Sequence, residues 1–346
     1  MSDVGDTLQA TDPPPGGTVT RGPVRVSVIV PVRNRVDLLA KLFAALDQQV
    51  YDDFEVVVVD DGSTDGCPDL AASTVIRGRP VRLIRQEPAG AVAARVRGVG
   101  EAGGSILAFT DSDCEPSPTW LSAAVAAIDD GAELAHGPTV PTRVVAPLER
   151  SVSEKDGGLF PTANLVLRRE VFDAVGGFDH QAVSRWRFRA GDRAKGLGFG
   201  EDTLLGWKVA RRGTVRYVPE AEVRHHVFPP DLHDWLSRSW QMAAFPALVR
   251  EVPELAESGL IRHGVLFSHR SRVPMYVALA SLATRRGGLI GLAFGWWVLH
   301  RFWRTMRYAP IPIPERFTGL PAQLLLDTVQ GAALVTGSAR ARRLLL

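Results

Sequence analysis

The chain has only two cysteines, Cys67 and Cys114, in 346 residues. Neither belongs to a CxxC pair, which argues against a disulfide framework or a structural zinc and makes a reducing compartment the default. Glycine is missing from the turn after the first apolar run, which reads PVRNR from Pro31 to Arg35. A dinucleotide-dependent oxidoreductase needs a glycine-rich turn there, and a sugar nucleotidyltransferase a glycine-rich basic loop, so both rank low. Net charge is scarce too. At +2 it gives no bulk electrostatic drive for nucleic-acid binding. The opening MSDVGDTLQATDPPPGG lacks the apolar run of an export signal. Residues 1–23 are expected to be a disordered tail and the protein cytoplasmic.

Apolar strand-like runs alternate with helical periodicity over the first half. Residues 24–32, the run ending at Asp60, residues 81–86 and residues 105–113 read as buried strands. Between them, 37–49 carries leucines at helical spacing, with Asp37 at its start, and a second helix stops near Gly103. Further on, 164–168 reads as a strand, Glu201 to Gly213 as a helix, and 214–227 as one or two short strands. Such alternation predicts an α/β fold with a mostly parallel sheet flanked by helices. Ligands sit at the carboxyl ends of strands in these sheets. Here those ends carry Asn34, the Asp60–Asp65 cluster, and Asp111-Ser112-Asp113.

Two carboxylates at i and i+2 beyond a buried strand can face one hard cation, Mg²⁺ or Mn²⁺, which in turn can bridge diphosphate oxygens. Acids closing the valine-rich second strand are costly to bury without a partner, and a nucleobase N–H could be that partner. Glu201 and Asp202 open a helix. They could be no more than its cap, but a helix start also favours an ionised carboxylate.

In order, VSVIVPVRNR, VVVVDDGSTD, AGAVAAR, FTDSD, TANLVLRREVFDAVGGFD and GED resemble the family 2 glycosyltransferases, inverting enzymes of the GT-A (Rossmann-like) fold. The resemblance covers about 24–230 and implies a GT-A catalytic domain there. It also implies a nucleotide-sugar donor, usually a UDP-sugar, and Mn²⁺ or Mg²⁺ as cofactor. Pro31, Arg33, Asn34, Asp61, Arg95, Asp111, Ser112 and Asp113 would bind the nucleotide sugar. Asp113, Asp111 and His225, or His226 in its place, would hold the metal. Asp202 beside Glu201 would be the catalytic base. Arg33 and Val96 depart from the family's usual residues.

Residues 231–346 read as a helical carboxy-terminal region. From Ser258 to Pro314 there is no acid but eight arginines, at 262, 270, 272, 285, 286, 301, 304 and 307. They flank VPMYVALASLAT and GLIGLAFGWWVL, each too short to span a bilayer. Trp296, Trp297, Trp303 and Tyr308 add interfacial aromatics. The pattern predicts peripheral contact with an anionic cytoplasmic membrane face and a lipid-linked or cell-envelope acceptor. The basic stretch 180–200 could hold a phosphate-bearing acceptor. A non-catalytic membrane-associated scaffold is the competing reading. It would have no need of Asp111, Asp113 and Asp202 together.

Overall fold

The computed structural model describes residues 24–346 except 147, 180, 183–185, 187–198, 259, 263–264, 267–275, 278–286, 309–318 and 346. The expected tail 1–23, most of the basic stretch 180–200 and Arg270, Arg272, Arg285 and Arg286 lie outside the described residues.

The strands are β1 (Val26–Val32), β2 (Phe54–Asp60), β3 (Val75–Ile76), β4 (Arg79–Pro80), β5 (Arg82–Arg85), β6 (Ile106–Phe109), β7 (Cys114–Pro116), β8 (Leu134–His136), β9 (Thr139–Pro141), β10 (Leu165–Arg168), β11 (Val215–Tyr217), β12 (Val223–His225), β13 (Ile261–Arg262) and β14 (Val265–Leu266). The helices are α1 (Val36–Asp47), α2 (Cys67–Ser73), α3 (Ala91–Glu101), α4 (Trp120–Asp129), α5 (Arg169–Ala174), α6 (Glu201–Ala210), α7 (Leu232–Gln241), α8 (Phe245–Glu251), α9 (Gly287–Tyr308) and α10 (Leu320–Ala341).

Seven strands form the central sheet in the order β11-β8-β10-β6-β1-β2-β5. It is mostly parallel, with β10 antiparallel to both neighbours. β1 and β2 are valine-rich and buried along their length, as strands covered by helices on both faces must be. Register fixes the site: Val32 lies opposite Asp60, and Ile29 opposite Phe109. Three parallel strands therefore end on one edge and deliver Arg33, Asp61 and Asp111 to a common rim.

A second sheet, β7-β12-β9, sits beyond that rim. β12 pairs antiparallel with β7, placing His225 opposite Cys114. The junction is held by buried Asn164. Its Nδ2 donates to the carbonyls of Pro138 (3.1 Å) and Ala221 (2.8 Å), and its Oδ1 accepts from Trp120 Nε1 (2.9 Å). Beside it the chain passes so closely that a Cβ on Gly137 would fall 2.0 Å from the Ala221 carbonyl oxygen.

The carboxy-terminal helices build a separate apolar cluster. Ala333 and Leu334 of α10 pack with Leu248 of α8 and with Leu204 of α6. A Cβ on Gly337 would lie 2.1 Å from the Ala243 carbonyl, so only glycine permits this approach. α9 joins α10 through Trp297, whose Nε1 donates to Asp327 Oδ2 at 3.0 Å. Among the described residues no helix is long and apolar enough to cross a membrane.

Candidate active site

A cavity of about 570 Å³ opens at the rim. Pro31, Arg33, Asp61, Arg95, Asp111, Ser112, Asp113, Glu201, Asp202 and His225 all line it, together with Arg35, Arg150, Thr162 and Arg238. Asn34 does not. Its backbone is left-handed (φ 52°), and its Oδ1 accepts from the Thr64 N–H at 2.7 Å. It ties the loop after β1 to the loop after β2.

Asp61 finds its partners inside the protein. Oδ1 accepts from Gln86 Nε2 (2.8 Å) and Ala89 N (2.7 Å), and Oδ2 from Gly90 N (2.9 Å). A carboxylate has room for about four donors, so Asp61, which lines the cavity, can accept one more. Asp60, fully buried, accepts from Ser63 N (3.1 Å) and Arg85 Nε (3.3 Å). The burial cost expected for these acids is thus offset by local N–H donors.

The two acids of the Asp111–Asp113 triplet face different partners. Asp111 Oδ1 takes a hydrogen bond from Arg95 Nη2 at 2.5 Å. Arg95 comes up from α3, and its Nη1 lies 3.9 Å from Glu201 Oε1. Burial opposes the arginine's charge, but Asp111 and Glu201 raise its pKa above the ordinary value. Asp113 points away toward β12. Its Oδ2 is paired with Arg35, and its Oδ1 lies 3.5 Å from His225 Nε2. Burial pushes this carboxyl up, but Arg35 and His225 outweigh that and hold it below the usual range. His225 Nδ1 sits 2.8 Å from the His226 carbonyl oxygen. Ser151 Oγ (3.2 Å) and the Val152 N–H (3.4 Å) also approach Nδ1, so the ring is held by this loop with Nε2 turned to Asp113. His226 instead packs edge-on against Phe228.

Among the described residues, Asp113, Cys114 and His225 bring ligand atoms within 4.8 Å of one another. Burial and the neighbouring acids push the Cys114 thiol well up. It therefore stays protonated and is a poor ligand. What remains is a carboxylate oxygen and an imidazole nitrogen 3.5 Å apart. That donor set fits Mn²⁺ or Mg²⁺ with further ligands from substrate oxygens.

Asp202 is the second residue of α6. The N-cap is Gly200, with φ 76° and no side-chain cap bond, so Asp202 does not occupy the capping position. The sequence suggested that the helix start would keep it ionised. Instead, burial first and Glu201 second push Asp202 up to about 7, overriding the Thr203 and Thr162 N–H groups and Arg95. Burial likewise raises Glu201. Its Oε2 is buried with no hydrogen-bond partner among the described residues.

Arg35, Arg150 and Arg238 went unnoticed as site residues in the sequence. Arg35 closes the first motif. Nothing local marks the other two, which are distant in the chain.

Residues 27–179 match the family model "Glycosyl transferase family 2". The chain is 34% identical over 201 residues to glycosyltransferase AglE of Haloferax volcanii, covering 52% of this chain and 65% of that protein. It is 28% identical over 326 residues to pre-mycofactocin glycosyltransferase of Mycobacterium tuberculosis, covering 88% and 62%. The chain thus spans under two thirds of the length of these curated relatives. Among solved structures, mannosyltransferase PcManGT from Pyrobaculum calidifontis, in complex with GDP-Man and Mn²⁺, superposes with TM-score 0.52 at 18% identity, over 92% of this chain and 87% of that one. Staphylococcus aureus TarS 1–349 with UDP-GlcNAc gives 0.50 at 18% identity, covering 92% of each. These structures share the fold, a mixed α/β GT-A architecture that here ends in a carboxy-terminal helix. Residues 27–179 thus form a glycosyl transferase family 2 domain.

Proposed function

We propose that the protein is an inverting glycosyltransferase that moves a sugar from a nucleotide sugar onto an acceptor hydroxyl. The observation that carries this is one cavity holding both a cation-ready pair, Asp113 and His225, and a carboxyl poised near neutrality, Asp202.

In this reading the acceptor oxygen attacks the anomeric carbon as the bond from that carbon to the diphosphate breaks. Asp202 takes the hydroxyl proton. A base near pH 7 is well matched to that work. Arg95 stays charged between Asp111 and Glu201 and orients the sugar-side wall. Asp61 steadies the Ala89–Gly90 turn and receives a base N–H on Oδ2. Asp113 and His225 would hold a divalent cation, whose charge would compensate that of the departing diphosphate.

UDP-sugars lead the donor list, since TarS was solved with UDP-GlcNAc. GDP-sugars are the alternative, since PcManGT was solved with GDP-Man. The acceptor is a lipid-linked or cell-envelope precursor met at the cytoplasmic face of the membrane. Leu292, Phe294, Trp296 and Leu299 of α9 support this, because all are exposed.

The test is a screen of UDP-, GDP- and dTDP-sugars with Mn²⁺ by thermal shift, followed by release of nucleoside diphosphate. At least one sugar nucleotide should stabilise the protein and be turned over, and Asp202→Asn should stop turnover. Stabilisation by none, or equal turnover in the variant, would overturn the reading.

A further inference from the structure

Beside the Asp113–His225 pair the cavity wall is strongly cationic. Arg35, Arg150 and Arg238 come from the loop after β1, the segment before β10 and helix α7, and all three line the cavity. Arg150 is fixed by reciprocal backbone bonds with Phe228 (3.1 and 2.8 Å). Its guanidinium lies over the Phe228 ring, 4.3 Å from the centroid, and that of Arg35 lies over the same ring at 5.0 Å. Stacking on one aromatic ring holds both planar groups in place.

The acids nearby do not balance this charge. Asp234 serves two arginines: its Oδ2 lies 2.8 Å from Arg150 Nε, and its Oδ1 accepts from Arg238 Nε at 2.9 Å. Asp113 serves Arg35. Three guanidinium groups thus face two carboxylates, and a cation at Asp113 would take one of those away. Arg150 and Arg238 meet Asp234 through Nε, which leaves their Nη ends without an acceptor among the described residues. Burial and then the charge of Arg238 depress the pKa of Arg150, with Arg35 adding to the effect. The cluster is short of negative charge where its forks are open, and such forks match a tetrahedral oxyanion. A purely structural ion pair between α7 and the 150 segment would need one arginine and Asp234.

We propose that Arg35, Arg150 and Arg238 form a phosphate-binding subsite in this cavity. The phosphate comes from the donor diphosphate or from a phosphate-bearing acceptor. Only that choice of source rests on the glycosyltransferase reading.

The full chain is titrated calorimetrically with pyrophosphate in the absence of divalent cation. Wild type should bind, more weakly as salt rises, and Arg238→Gln and Arg150→Gln should each lose at least fivefold. Arg238→Lys should keep part of the affinity, and Arg143→Gln, at an exposed arginine paired with Glu149, should keep all of it. Equal pyrophosphate affinity in wild type and both Gln variants, with unchanged melting curves, overturns the proposal.

A second arm uses UDP or GDP with Mn²⁺. If the Gln variants bind the nucleotide at least fivefold more weakly, the donor supplies the phosphate. If nucleotide affinity is kept, but inorganic phosphate added to the saturated complex binds wild type and not the variants, the acceptor supplies it. If the nucleotide binds and neither occurs, the subsite is refuted. Pyrophosphate binding at these arginines without any nucleotide binding would leave the subsite standing and overturn the glycosyltransferase reading.

Discussion

His225 Nε2 faces Asp113 Oδ1 across 3.5 Å, and contacts of Nδ1 with the His226 carbonyl and Ser151 Oγ hold the imidazole in that orientation. A carboxylate oxygen and an imidazole nitrogen at this spacing are a donor set that a divalent cation could draw on. Arg35 pairs with the other carboxylate oxygen.

Removing either ligand should therefore uncouple nucleotide binding from metal. In calorimetry, wild type should bind its nucleoside diphosphate at least tenfold more tightly with Mn²⁺ than without. His225→Ala and Asp113→Asn should reduce that ratio to within about threefold. A ratio unchanged in both variants would place the cation elsewhere.

Asp202 gives a pH signature with a definite sign. Its pKa is raised to about 7, so it is protonated below and ionised above that value. A general base must be ionised, so kcat/KM should climb with pH and level off above about 7. Asp202→Asn should lower kcat at least about a hundredfold while nucleotide affinity changes less than about threefold. Equal losses in kcat and in affinity would make Asp202 a binding residue.

The same shift is a statement about stability. Between about pH 4 and 7 the folded chain keeps a proton that the unfolded chain releases, so this group's contribution falls as pH rises through that window. Asn cannot ionise. The melting temperature of Asp202→Asn relative to wild type should be higher at pH 8 than at pH 5, by roughly 2–6 °C. A relative melting temperature that does not move with pH would mean that Asp202 is already ionised at pH 5 in the folded chain.

Buried Asn164, just before β10, joins α4, the β8–β9 connection and the segment before β12 through Trp120, Pro138 and Ala221. Asn164→Ala would leave one buried N–H and two carbonyls short of partners, at a cost of about 2–5 kcal/mol in urea unfolding. A loss below about 1 kcal/mol would mean that water or side-chain shifts replace the amide.

The strand–helix alternation from β1 to β6 was legible because each strand is a short apolar run ending in acids, and parallel strands put those ends together. The local pattern also gave β10, α6 and β12. It could not give the register His225↔Cys114, which alone decides that His225 rather than His226 meets Asp113. Nor could it split the roles of Asp111 and Asp113, because their partners Arg95 and Arg35 reach them from other elements. The raised Asp202 was missed for a similar reason. Burial is a tertiary property, and the helix-start argument considered only its own helix. Residues 115–160 carry weak periodicity, so α4, β8, β9 and Arg150 went unread. The Phe228 stack that gathers two arginines depends on pairing between segments nearly eighty residues apart.

The last expectation concerns the membrane. On α9, Leu292 is 72% exposed and Trp296 51%, while Trp297 turns inward to Asp327. The helix thus has one face committed to the protein and another that is apolar and open. Such a face binds a membrane interface without spanning it, helped by arginines at roughly 1 kcal/mol each near anionic headgroups. In flotation, the intact chain should rise with vesicles containing anionic lipid, less so at high salt, and not with neutral vesicles. Leu292→Ser with Trp296→Ser should cut the floated fraction several-fold without lowering the melting temperature, since both side chains are exposed. If wild type and the double variant float alike, or neither floats, α9 does not dock on membrane, and the acceptor is then met in solution.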